Sequence, residues 1–215
     1  MNRDTALVYL VDDDDAVRDA LGMLFRSIGL AYEAYPSALA FLQRFDPARH
    51  SCLVADIRMP GLSGLELQQR LNEQRAEVPI IFITGHGDVP MAVNAMKSGA
   101  VDFVQKPFRD QDLIDRIHKA LDHDRARRAV RAEQEVIRER IALLTPRERE
   151  VMERVVRGQA NKVIAMDLGV SQRTVELHRA RVMRKLKMRS LAELVHAVDK
   201  IALRATPPSD TAESR

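Results

Sequence analysis

Short apolar runs in the first half of the chain end on chemically capable residues. Leu7–Val11 runs into Asp12 and Asp13, Cys52–Ala55 into Asp56, Ile80–Ile83 into Thr84, and Val101–Gln105 into Lys106. Together with Leu30–Tyr35, these β-rich runs read as strands. Between the first two, Val17, Ala20, Leu21, Leu24 and Ile28 follow the i, i+3, i+4, i+7 spacing of a helix with one buried face. Comparable helices are predicted over Ser37–Arg44, Gly64–Gln74, Val89–Ser98 and Asp110–Leu121. Five β/α repeats predict an α/β fold, a doubly wound parallel sheet with helices on both faces. Ligands of such sheets bind beyond the carboxyl ends of the strands, where strand order reverses. The polar residues at the strand ends are therefore expected to meet at one spot, with Asp14 and Asp15 left to cap the next helix.

The second half has helical spacing only. Residues 123–143 are charged and Ala-rich, without Gly or Pro. Val130, Ile137 and Leu144 recur every seven residues, so this stretch reads either as a short coiled-coil seam or as a solvated helical linker. Thr145-Pro146-Arg147-Glu148 is a helix start with a capping box and Pro in the first turn. Gly158 ends that helix. A short helix over Ala160–Leu168, a turn at Gly169 and a helix capped by Ser171 and running to Lys187 follow, with a fourth over 190–203. The tail 205–215, with Pro207-Pro208 and small polar residues, reads as disordered.

At 215 residues the chain can form two small domains, and 46% hydrophobic with 30% charged content reads as soluble and globular. No apolar run approaches the roughly 18 residues of a membrane span. Asp12–Asp15 interrupts the sole candidate for a signal peptide, so the cytoplasm is the expected compartment. The single cysteine, Cys52, lies in an apolar run and reads as a core residue. Residues 1–122 carry 13 Lys+Arg against 18 Asp+Glu, net −5, while residues 123–215 carry 21 against 13, net +8. An acidic half joined to a basic half suggests two jobs, the second facing a polyanion.

Clustered carboxylates repel one another, and a hard divalent cation such as Mg²⁺ relieves that repulsion. A hydroxyl at Thr84 and an ammonium at Lys106 become useful when a phosphoryl dianion arrives, and an Asp can attack phosphorus. An aspartyl-phosphate hydrolase is a second reading, but its D-x-D pattern is absent, since Arg58 stands where the second carboxylate belongs. The segments VYLVDDDDAVR, VADIRMPGLSG, IFITGHGDV and AVNAMKSGAVDFVQKPF resemble the receiver domain of bacterial two-component response regulators, which has a flavodoxin-like (βα)5 fold. The resemblance implies Asp56 as phosphoacceptor. It implies Mg²⁺ held by Asp13, Asp56 and the Arg58 backbone carbonyl, with Asp12 acting through water. Thr84 and Lys106 would contact phosphoryl oxygens, and Phe103 would be the aromatic switch. Lys106-Pro107 matches a dipeptide whose peptide bond can be cis. Arg58 and His86 flank the site.

On the helix after Ser171, Val175, Val182 and Leu186 share one face, flanked by His178 and Met183. The opposite face carries Arg173, Leu177, Ala180 and Arg184, edged by Glu176 and Arg181. A short helix, a Gly-containing turn and a basic helix describe a helix-turn-helix. In the major groove, Glu176 could accept from a cytosine amino group and the arginines could reach guanine or phosphate, while Asn161 and Lys162 suit phosphate contacts. LTPREREVM, GQANKVIAMDLGVSQRTVELHRARVMRKL and RSLAELV resemble the LuxR-type DNA-binding domain, and Thr174 joins the expected contact set. His178 is either a helix-positioning residue beside the DNA backbone or a polar flank of the core. Arg179, near the inner face, is at most a phosphate contact.

The combination resembles the FixJ/NarL group of response regulators, and the GHGDVPMAV and RTVELHRA stretches look most like FixJ. It implies a receiver over 1–122, a linker over 123–143, an all-α helix-turn-helix domain over 144–204 and a tail over 205–215. The implied partners are a sensor histidine kinase, double-stranded DNA, a second copy on phosphorylation, and RNA polymerase, with transcription activated. The implied dimer face is Val89–Ser98, Asp102–Lys106 and Asp110–Asp122. Before activation, either the receiver masks the DNA-binding helix or the linker holds the halves apart.

Overall fold

The computed structural model describes residues 6–85 and 89–202; His86 and the tail lie outside them. The chain divides into two units at Arg128–Ala129. In the first, the described strands are β1 (Leu7–Val11), β2 (Ala31–Tyr35), β3 (Ser51–Asp56), β4 (Ile80–Thr84) and β5 (Asp102–Gln105). They form a parallel sheet in the order β2-β1-β3-β4-β5. Between and after them run α1 (Asp15–Ser27), α2 (Ala38–Leu42), α3 (Gly64–Glu73), α4 (Val89–Lys97) and α5 (Asp110–Ala142).

The strands β1, β3 and β4 are almost wholly apolar because both faces are covered. The two-residue period then sorts their side chains. Leu7, Tyr9, Leu53, Ala55 and Phe82 point to one core with Phe41, Leu67, Leu71, Ala92 and Ala95 of α2, α3 and α4. Val8, Leu10, Val54, Ile81 and Ile83 point to the other, with Leu21 and Phe25 of α1 and Leu113 and Ile117 of α5. Cys52 is fully buried in that second core, and burial pushes its thiol far above the usual range. Strand order reverses beside β1, so the carboxyl ends of β1 and β3 flank the switch point.

The helix α5 runs well past Leu121, where its apolar periodicity stops. Nothing from Asp110 to Thr145 is Gly or Pro, so nothing local ends it. The residues read as a linker divide between the two units. Asp124 is fully buried, accepting from the Ser51 N–H at 3.2 Å and from Arg127 and Arg128 at 2.5 and 2.6 Å. Arg128 donates to the carbonyls of Ala48 and Pro47 at 2.7 and 2.9 Å. In the second unit, Gln134 donates to the Lys200 carbonyl at 2.8 Å and Arg140 to that of Leu186 at 3.0 Å. Of the three heptad positions, Ile137 and Leu144 are buried but Val130 is 44% exposed.

The second unit continues with α6 (Pro146–Val156), α7 (Asn161–Leu168), α8 (Gln172–Leu186) and α9 (Leu191–Ala202). Val151, Val155, Ile164, Val175, Val182, Leu186 and Leu194 form its core. Between α7 and α8 the chain turns at Gly169, whose φ of 65° disfavours any side chain. Thr145 and Glu148 form the capping box of α6. The buried Glu148 carboxylate also accepts from Lys185 Nζ at 2.6 Å, tying α6 to α8. The Lys185 hydrogen bond, then the Thr145 N–H, pull the Glu148 carboxyl down to about 2.

A carboxyl lowered on folding stabilises the folded state above its unfolded range, and that contribution disappears as pH falls toward 2. Lys185→Met is expected to destabilise the second unit by about 2 kcal/mol at neutral pH. It should also move acid unfolding to higher pH, both read by circular dichroism.

Candidate functional site

Parallel pairing brings four strand ends to one edge of the sheet. Asp12 directly follows β1 and is fully buried; Asp56 closes β3 and is partly buried; Asp13 is exposed. One carboxylate oxygen from each of the three lies within 4.8 Å of the others. Lys106, following β5, places its Nζ 3.2 Å from Asp12 Oδ2 and 3.2 Å from Asp56 Oδ2. The remaining Asp12 oxygen, Oδ1, accepts the Asp14 N–H at 2.9 Å, and Asp56 Oδ1 accepts the Arg58 N–H at 3.2 Å. Asp14 caps α1, accepting from the N–H groups of Ala16 and Val17.

Burial raises the Asp12 carboxyl, more than the Asp14 N–H and Lys106 lower it. Burial also works to lower the Lys106 amine, but Asp56 and Asp12 together outweigh it and leave the amine raised. The two partners thus respond unequally. An ammonium facing two carboxylates is favoured in its charged form, while burial leaves the Asp12 carboxylate short of compensation. An all-oxygen donor set of three carboxylates fits a hard divalent cation.

Thr84 is buried at the end of β4, and its hydroxyl donates to the Gly85 carbonyl at 3.2 Å rather than to the carboxylates. The Lys106 N–H donates to the Thr84 carbonyl at 2.7 Å, tying β5 to β4 at the edge. Phe103 pairs in register with Phe82 and packs partly buried against the first core. The Lys106–Pro107 peptide is cis.

In the second unit, α8 buries Val175, Val182 and Leu186 and exposes Arg173, Glu176, Leu177, Ala180, Arg181 and Arg184. Leu177, at 50% exposure, is a large apolar side chain in a polar stripe. It lines a shallow depression with Ser171, Arg173, Thr174 and Glu176 at the start of the helix. Lys162 is exposed on α7, whereas Asn161 is half-buried with its Oδ1 accepting from Arg179 Nη1 at 2.5 Å. Arg179 is therefore partly spent on joining α8 to α7. His178 is half-buried, and its buried Nδ1 has no hydrogen-bond partner among the described residues.

Residues 8–118 match the model of the response regulator receiver domain, and residues 142–198 match the luxR family of bacterial regulatory proteins. The chain belongs to the two-component response regulators with a LuxR-type DNA-binding domain. This response regulator is 49% identical to the transcriptional regulatory protein FixJ of Azorhizobium caulinodans, over 95% of this chain and 96% of that one. It is 45% identical to nodulation protein W of Bradyrhizobium diazoefficiens, over 96% and 91%. Among solved structures, the response regulator StyR matches with a TM-score of 0.80 at 46% identity, covering 91% of this chain and 99% of that one. Full-length FixJ from B. japonicum matches with a TM-score of 0.57 at 43% identity, covering 92% and 97%.

The response regulator also uses two residues around its acid site that sequence patterns did not single out. Arg18 donates from Nη1 to the Asp12 carbonyl at 2.6 Å. Gly64, the first residue of α3, has no room for a side chain, since a Cβ there would lie 2.3 Å from the Asp56 carbonyl oxygen and 2.9 Å from Phe82 Cε1. Its sequence signal was an ordinary helix start. Gly64→Ala is expected to destabilise the receiver by about 1–3 kcal/mol through overpacking. A denaturant midpoint equal to that of the wild type would contradict this.

Proposed function

We propose that this response regulator accepts a phosphoryl group on Asp56 from a sensor histidine kinase and thereby controls binding to double-stranded DNA. The observation that carries this reading is the Lys106 ammonium, 3.2 Å from both Asp12 and Asp56 at the edge where the three carboxylates meet. An Asp56 carboxylate oxygen attacks phosphorus, an O–P bond forms, and the P–N bond of the kinase phosphohistidine breaks. The imidazole leaves with the electron pair and takes up a proton. In-line transfer of this kind needs positioning and charge neutralisation above all.

Asp12, Asp13, Asp56 and the Arg58 backbone carbonyl are the proposed Mg²⁺ site, with Asp12 acting through water. Bound there, Mg²⁺ supplies positive charge against the oxygens of the phosphoryl group. Lys106 supplies a second positive charge, and Thr84 exchanges its bond to Gly85 for one to a phosphoryl oxygen. Phe103 follows Thr84, and the population shifts toward a form that dimerises through Val89–Ser98, Asp102–Lys106 and Asp110–Asp122. A two-fold dimer then meets two half-sites, with α8 in the major groove.

The proposed contacts are Arg173, Thr174, Glu176, Leu177, Ala180, Arg181 and Arg184 on α8, with Asn161 and Lys162 on α7. Recruitment of RNA polymerase and activation of transcription in the cytoplasm complete the reading. Among the described residues no helix is long and apolar enough to cross a membrane.

Acetyl phosphate with Mg²⁺ should add one phosphate to the wild type and none to Asp56→Asn, as read by intact mass. Equal labelling of the variant would refute the assignment. Arg184→Ala should weaken DNA binding while leaving the thermal midpoint of the domain unchanged. The slope of log affinity against log salt should fall by about 1 if Arg184 meets a phosphate.

A further inference from the structure

We infer that Arg18 is a positioning residue for the cation site, aiming the Asp13 carboxylate at Asp56 by clamping the loop between β1 and α1. This role rests on reading Asp12, Asp13 and Asp56 as a cation site. The chain carries four consecutive carboxylates, Asp12–Asp15, and only Asp12 and Asp13 join Asp56. Something must sort them. Asp14 is committed to capping α1, and Asp15 is committed to an ion pair with Arg18 Nη2.

Arg18 also reaches back six residues, where its Nη1 holds the Asp12 carbonyl oxygen at 2.6 Å. Peptide groups are planar, so gripping the Asp12 carbonyl fixes the plane that contains the Asp13 N–H. The Asp14 N–H, gripped at 2.9 Å by Asp12 Oδ1, fixes the plane that contains the Asp13 carbonyl. Asp13 itself is exposed, yet both peptide planes that flank it are clamped. Its Cα–Cβ direction is set before any cation arrives.

The side chain making this clamp is well placed to be rigid. Only 14% of the Arg18 side chain is exposed, and the planar guanidinium holds a carbonyl and a carboxylate with different nitrogens. A lysine offers a single point charge and cannot span both. Residues that orient metal ligands typically change metal affinity by 10–100-fold when removed.

The test is calorimetric titration of Mg²⁺ into the full chain, with circular dichroism to confirm the fold. Arg18→Met is expected to bind Mg²⁺ at least tenfold more weakly than the wild type, and Arg18→Lys to recover part of the loss. Asp15→Asn keeps a side-chain oxygen for Arg18 Nη2 as well as the grip on the Asp12 carbonyl, and should bind Mg²⁺ much more tightly than Arg18→Met. Unchanged affinity in both Arg18 variants would overturn the positioning role, as would an equal loss in Asp15→Asn. A wild type that binds no Mg²⁺ would instead overturn the cation-site reading beneath it. Should Arg18→Met fail to fold, the comparison of Arg18→Lys with Asp15→Asn decides alone.

Discussion

A single ammonium stands between carboxylates that would otherwise repel one another. Asp12 and Asp56 leave neighbouring strands at the same edge, because β1 and β3 are parallel and in register. Like charges so placed favour protonation or separation. The Lys106 amine counters this from β5, reaching past β4 to touch both. That geometry requires every intervening strand to hold its register, since a slip of one residue would turn Asp56 to the other face. The two apolar cores that lock the register are thus conditions for the chemistry at the edge.

Much of this arrangement is legible in the chain. Apolar runs that stop on Asp12, Asp56, Thr84 and Lys106 mark strand ends, and the strand-helix alternation points to a doubly wound sheet. Placing those residues at one edge follows from parallel pairing alone. What escaped were relations carried by atoms rather than patterns. Arg18 is six positions from Asp12, outside the i+3 and i+4 spacings that helix reading inspects. Gly64 looks like a helix start until α3 is seen packed against the Asp56 carbonyl. Thr84 sits at the edge, but its hydroxyl faces Gly85.

The stretch after Leu121 reads either as a short coiled-coil seam or as a solvated helical linker, and it is helical and mostly exposed. Neither reading anticipates Asp124, which is fully buried and bonded to Ser51, Arg127 and Arg128. Carboxylate and guanidinium groups do there the packing that hydrophobic side chains do elsewhere. In α8 the two-faced reading was easier, because buried Val175, Val182 and Leu186 recur at regular helical spacing. Its outer stripe is legible as basic, but not the link from Arg179 to Asn161, which joins helices rather than facing outward.

The same strand that carries Asp56 at one end carries Cys52 near the other, wholly enclosed between the sheet and its helices. With one cysteine in the chain, and that thiol shielded and poorly ionised, thiol-directed reagents have no target until the receiver core opens. Trapping kinetics would therefore count breathing events of β3 itself. The receiver carries its own clock for whether occupancy at Asp56 stiffens the strand beneath it, with no label introduced.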